Sequence, residues 1–145
     1  MSPSFDFVHA PGHLIRRAQQ IAVSVFTEQL AAFDVTPVQF AILNALMDTP
    51  GIDQVTLAGQ VAFDAATSGS VIGRLETKGW VRREADPQDR RRKMLWLTPE
   101  GERVTLEMAP QVTRVQDRIL QPLAVHEQKL LLDLLSKLVN AQTPS

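Results

Sequence analysis

Residues 64–101 read DAATSGSVIGRLETKGWVRREADPQDRRRKMLWLTPEG, and their patterning decides the fold. Over residues 65–78, Val71, Ile72 and Leu75 fall on one side of a helix. Thr67, Ser68, Ser70, Arg74 and Lys78 lie elsewhere, so one face packs and another stays polar. Asp64 stands where a helix favours an N-cap, and Gly79 where it favours a left-handed C′ residue. Trp80–Arg83 and Met94–Leu97 are short, apolar-rich and strand-like. Between them residues 84–93, EADPQDRRRK, form a polar loop with Asp-Pro as its turn signal. A short helix followed at once by a basic β-hairpin is the layout of a winged helix-turn-helix. In that layout the helix suits a major groove and the hairpin the neighbouring minor groove.

The flanking chain supports this reading. Asp53 to Ala62 reads as a short helix with Val55, Leu57, Ala58 and Val61 apolar, and Phe63-Asp64 as the turn into the next. A positioning helix, a tight turn and a recognition helix result. Thr36-Pro37-Val38-Gln39 is a capping box with proline at the first helical position, where its missing N–H costs nothing; the helix it opens runs to about Met47. His13 to Ala32 is a helix with a wide apolar stripe. Residues 1–12 contain Pro3, Pro11 and Gly12 and read as an arm, yet Phe5, Phe7 and Val8 are too apolar for a free tail and are expected to pack. Downstream, Thr98-Pro99-Glu100 starts a long helix over 101–120, with a kink expected near Pro110. His126 to Val139 is a last helix. Its stripe of Leu131, Leu134, Leu135 and Leu138 is widened by Leu130 and Leu132 beyond what one short chain can cover. A second copy can cover it, so residues 1–35 and 101–145 are predicted to form the interface of a two-fold homodimer. The alternative is that these helices fold back on their own core. Residues 36–100 form the predicted winged part. The fold class is mainly α with a small β-hairpin wing, in one domain of 145 residues.

Composition narrows the function. With 44% hydrophobic residues the chain has material for a core. No apolar run is long enough for a membrane span, and the N-terminus lacks the build of a signal peptide, so a cytoplasmic location is expected. No cysteine is present, which excludes disulfides and thiolate metal sites. The net charge of −1 argues against a wholly basic nucleic-acid binder, but the distribution matters more. Arg74, Lys78, Arg82, Arg83, Arg90, Arg91, Arg92 and Lys93 crowd into residues 74–93, diluted by Glu76, Glu84, Asp86 and Asp89. A merely solvated hairpin is the bland alternative.

Asp86-Pro87-Gln88-Asp89-Arg90-Arg91-Arg92, followed by Leu97-Thr98-Pro99-Glu100-Gly101, resembles the wing signature of the MarR family. Leu57-Ala58, Arg74-Leu75-Glu76, Lys78-Gly79 and Val81-Arg82-Arg83 are similar to it too, and the resemblance extends over nearly the whole chain. It implies a homodimeric transcriptional regulator, usually a repressor, that binds double-stranded DNA at a short palindromic operator and is released by small anionic aromatic compounds. By position, Arg91 is then the wing-tip arginine of the minor groove, flanked by Arg90 and Arg92, and Asp89 its intrahairpin partner. Thr67, Ser68, Ser70, Arg74 and Lys78 are the helix residues nearest DNA. Gly69 and Ser70 depart from the larger residues common there, which shifts the expected specificity toward phosphate contacts and DNA shape. Residues 12–20, GHLIRRAQQ, resemble the branch that controls breakdown of aromatic acids such as nicotinate derivatives.

An effector pocket is expected to draw on His13, Arg16 and Arg17, since an arginine fork suits a carboxylate, with Phe7, Phe40 and Trp80 as aromatic walls. Ordinary core and surface roles compete for each of these. His9 and His13 have the spacing of a metal pair on a helix, but Pro11 and Gly12 intervene, so no metal and no cofactor are expected. No phosphate loop, catalytic triad or paired carboxylates are visible, so no enzyme is expected. A winged helix used as a protein–protein adaptor is the competing class.

Overall fold

The computed structural model describes residues 4–61 and 65–142. Six α-helices and one antiparallel hairpin are seen there: α1 (Pro11–Gln29), a 3-10 turn (Ala31–Phe33), α2 (Pro37–Asp48), α3 (Gln54–Gln60), α4 (Ala65–Thr77), β1 (Val81–Ala85), β2 (Lys93–Leu97), α5 (Pro99–Leu120) and α6 (Val125–Gln142). The expected N-cap at Asp64 and the turn at Phe63-Asp64 lie outside the described residues.

Local chemistry sets most boundaries. Pro11 takes the first position of α1, so the helix begins two residues before the expected His13; proline suits that position. At α2 the capping box is complete: the Gln39 N–H donates to the Thr36 hydroxyl oxygen at 3.1 Å, and the Thr36 N–H to the Gln39 side chain at 3.1 Å. Helix α4 ends in a Schellman turn. Gly79, at φ 81°, donates to the Glu76 carbonyl at 2.9 Å, and the Trp80 N–H to the Leu75 carbonyl at 3.1 Å. α5 continues through Pro110, so the proline costs a ladder bond and not the helix.

The strands are longer than expected, pairing from Val81 with Leu97 to Ala85 with Lys93. The loop shrinks accordingly to residues 86–92, closed by the Asp86 N–H on the Arg92 carbonyl at 2.8 Å. A third segment, residues 51–53 between α2 and α3, docks on the hairpin. The Gly51 N–H donates to the Leu95 carbonyl at 2.8 Å, the Leu95 N–H to the Ile52 carbonyl at 3.0 Å, and Asp53 bridges to Met94.

One core lies under the winged part. Ile42, Leu43 and Leu46 of α2, Leu57 of α3, Ile72 and Leu75 of α4, Leu95 of β2 and Met108 of α5 are all fully buried in it. Each such side chain contributes about 1.5–3 kcal/mol. α1 reaches the core through Phe26 and packs along α5. α6 buries none of its residues: Leu130, Leu132, Leu134, Leu135, Leu138 and Val139 stay exposed, as do Phe5, Phe7, Val8, Leu14, Ile15 and Ile21. The alternative of end helices folded onto their own core therefore does not hold for α6.

Candidate nucleic-acid interface

The polar face of α4 and the hairpin define one side of the winged part. A cleft of about 520 Å³ separates α4 from the start of α2; Thr36, Gln39, Ser70, Arg74, Thr77 and Lys78 are among its walls. Thr67, Ser70 and Arg74 are exposed, but Ser68 is not: it is 1% exposed and, among the described residues, its hydroxyl has no hydrogen-bond partner. Ser68 lies four residues before Ile72 and seven before Leu75, on the packed stripe. Its assignment to the DNA-facing set is corrected on that ground.

Lys78 is also otherwise engaged. Its ammonium donates to the Asp34 carbonyl and sits 4.5 Å from the centre of the Trp80 ring. Asp34 occupies the left-handed region at φ 50°, at the corner between α1 and α2. Lys78 thus ties the end of α4 to that corner.

Every acid that dilutes the basic run is paired with a particular arginine. Glu76 meets Arg83 at 2.6 Å, Glu84 meets Arg82, Asp86 meets Arg92 at 3.7 Å, and Asp89 meets Arg91 at 3.4 Å. The Asp89 carboxylate also accepts the Arg91 backbone N–H at 3.1 Å. This fixes the loop backbone while the Arg91 side chain stays 93% exposed. Among the described residues Arg74, Arg90 and Lys93 make no ion pair. Arg92 is drawn inward, toward Asp53 at 3.2 Å, and so differs from Arg90 and Arg91.

Asp53 caps α3. Its carboxylate accepts the Thr56 N–H at 3.1 Å and the Thr56 hydroxyl at 2.6 Å. The Thr56 hydroxyl, ahead of the Thr56 N–H and Arg92, holds the Asp53 carboxyl below the usual carboxylate range, against the opposing effect of desolvation. Arg83 reaches the same region, donating to Gln54 at 2.9 Å. A second cleft, about 210 Å³, lies here between α3 and the hairpin. Sequence reading placed Asp53 at a helix start and Arg83 in the basic run, but not the contacts Asp53–Arg92 and Gln54–Arg83. The one local signal was Asp53 as a helix N-cap; its proximity to the arginine-rich loop appears only in the fold.

The six expected pocket residues separate into groups. Phe7 stacks at a tilt on His13, with ring centres 4.5 Å apart, and Arg16 approaches His13 Nδ1 at 3.3 Å. Arg17 donates to Gln20 instead. Phe40 and Trp80 pack against the core. Neither cleft is lined by any of the six. Hence Phe7, His13 and Arg16 come together, whereas Arg17, Phe40 and Trp80 do not join them within one chain. His9 pairs with Asp6 at 2.9 Å, and no cluster of potential metal ligands occurs among the described residues.

Comparison with known proteins agrees with this arrangement. Residues 35–93 match the MarR family. The transcriptional regulator HosA of Escherichia coli is 40% identical over 108 residues, covering 74% of this chain and 80% of HosA. The transcriptional repressor NicR of Pseudomonas putida is 30% identical over 137 residues, covering 94% and 87%. The PcaV regulator of Streptomyces coelicolor in complex with its natural ligand superposes with a TM-score of 0.89 at 36% identity, over 97% of this chain and 99% of that one. Bordetella bronchiseptica BpsR, whose DNA binding is regulated by 6-hydroxynicotinic acid, gives 0.88 at 31% identity, over 94% and 98%. A MarR mutant of Escherichia coli complexed with operator DNA gives 0.85 at 27%, over 94% and 99%. The winged hairpin, the helix-turn-helix and the identities over most of the chain lead to one conclusion: this protein belongs to the MarR family of transcriptional regulators.

Proposed function

We propose that this regulator is a homodimeric repressor that binds a palindromic operator and is released by a small anionic aromatic compound. The observation that carries the reading is the Arg91 side chain, held out from a hairpin whose backbone is fixed by Asp89. A guanidinium presented in this way suits a narrow minor groove. Thr67, Ser70 and Arg74 of α4 meet the adjacent major groove, Arg90 adds a phosphate contact, and Lys78 and Arg92 hold the elements in place. The solved MarR complex with operator DNA supports the same use of the fold. The uncovered apolar faces of α1 and α6 supply the dimer contact, dividing the chain into end segments 1–35 and 101–145 and a winged part 36–100.

The effector part rests on Phe7, His13 and Arg16, a ring, an imidazole and a guanidinium suited to an aromatic carboxylate. The complex of PcaV with its natural ligand and the regulation of BpsR by 6-hydroxynicotinic acid support an effector of this kind. Such a compound acts by preferring a dimer whose recognition helices no longer match the half-site spacing. The regulator acts on DNA in the cytoplasm and performs no catalysis; no described helix is long and apolar enough to cross a membrane. The test is a mobility shift on DNA upstream of its own gene, repeated with a panel of aromatic acids that includes 6-hydroxynicotinic acid. Retarded DNA that one acid sets free is expected. DNA that migrates unretarded at micromolar protein would sink the reading and favour a protein–protein adaptor.

A further inference from the structure

Asp53 places a carboxylate on the same side of the molecule as Arg91, where simple charge counting finds it only harmful. Three observations give it a different job. Its backbone bridges to Met94 in β2. Its carboxylate caps α3 through Thr56. The same carboxylate takes the Arg92 guanidinium at 3.2 Å, and Arg92 also reaches Asp86 at 3.7 Å across the loop. The Arg92 N–H further donates to the Asp89 carbonyl at 2.9 Å, and Asp89 is the residue that fixes Arg91. A continuous path of contacts therefore runs from the first turn of α3 to the tip of the hairpin. The Asp53 side chain is only 14% exposed, so the pair is partly shielded and less screened than a surface ion pair.

We propose that Asp53 is a positioning residue: through Arg92 it sets where the hairpin tip stands relative to the helix-turn-helix. Residues 51–53 and the buried Leu95 anchor the base of the hairpin, but the seven-residue loop beyond it has little of its own to fix its position, and Arg91 must enter a groove at a set distance from α4. Immobilising the loop beforehand removes an ordering cost from DNA binding. Arg92 consequently contributes to binding through Asp53 and not as a phosphate contact, which separates it from its neighbours in the arginine run. The proposal rests on the DNA-binding reading above, and its test keeps the two apart.

The test uses the full chain and the duplex that the wild-type protein enriches most strongly from a random library, beside a scrambled duplex of equal composition. Enrichment of no duplex would remove the DNA-binding reading, and this inference with it, before any variant is made. The variants are Asp53→Ser and Asp53→Asn, both of which keep a good N-cap for α3 while removing the carboxylate, together with Arg92→Gln and the double variant Asp53→Ser/Arg92→Gln. Loss of a negative charge alone would tighten binding to both duplexes. Positioning instead weakens binding to the enriched duplex by about tenfold for either single variant, with little further loss in the double variant, and the Asp53 variants bind scrambled DNA at least as well as wild type. Arg92→Gln also leaves the salt slope unchanged, whereas loss of a phosphate contact lowers it by about one. Without DNA, hydrogen exchange quickens in residues 86–93 of Asp53→Ser and stays as in wild type in α3. Tighter binding of both duplexes, additive losses, or unchanged exchange in the hairpin would each overturn the proposal.

Discussion

Gly101 lies at the third position of α5, against the start of the hairpin. A Cβ there would stand 2.0 Å from the Trp80 carbonyl oxygen and 2.9 Å from its carbon. Both are backbone atoms, so no side-chain rotation relieves the clash. The Trp80 carbonyl accepts the Thr98 N–H at 3.0 Å, and the Thr98 hydroxyl donates to the Gly79 carbonyl at 2.6 Å while accepting the Gly101 N–H at 3.0 Å. Gly101→Ala must open this corner by more than about 1 Å, which weakens bonds worth about 1 kcal/mol each and adds overpacking of about 1–3 kcal/mol. The gain from replacing a helical glycine, about 1 kcal/mol, is subtracted. The expected net loss is about 2–4 kcal/mol, read as a fall of roughly 1–2 M in the urea midpoint at fixed protomer concentration. Gly59→Ala is the control: its Cβ meets nothing within 4 Å, so the same replacement in α3 is expected to stabilise by about 0.5–1 kcal/mol. An unchanged midpoint for Gly101→Ala would refute the close approach of α5 to the hairpin.

Three further outcomes follow from the same geometry. Arg91→Ala is expected to weaken operator binding and lower its salt slope by about one, with the oligomer intact in light scattering; wild-type affinity would remove Arg91 from the interface. Leu134→Glu with Leu138→Glu places charges on the exposed α6 stripe and is expected to yield monomer on size exclusion, while the helical circular dichroism of the winged part persists. The Asp53 carboxyl has a depressed pKa, so its stabilisation is complete above the ordinary carboxylate value and is lost as pH falls through the depressed one. The gap in urea midpoint between wild type and Asp53→Ser is thus expected near neutral pH and should close in acid. A gap that widened in acid would show the sign to be wrong.

How much of this was legible in the sequence depended on the range of each interaction. The Thr36–Gln39 box, the Thr98 cap and the Gly79 turn are contacts within a few residues, and the local order of residue types announces them. The Asp89–Arg91 pair is equally local. Ser68 was readable but misassigned, because a small polar residue on a packed stripe looks like surface until its spacing to Ile72 and Leu75 is counted. The link of Arg92 to Asp53 spans 39 positions, and that of Arg83 to Gln54 spans 29; no periodicity encodes either. The docking of residues 51–53 on β2 is too short to show a strand pattern. The proposed effector residues are the least legible: Phe7 and Arg16 are exposed and His13 half-buried, and nothing in their local pattern separates a binding role from an ordinary surface one.

Light scattering on the wild-type chain at micromolar concentration, alone and with the enriched duplex, is the most direct trial of a paired-hairpin reader of DNA. Twice the chain mass is expected for the free protein, and one such pair per duplex in the complex. A single-chain mass in both samples would contradict it.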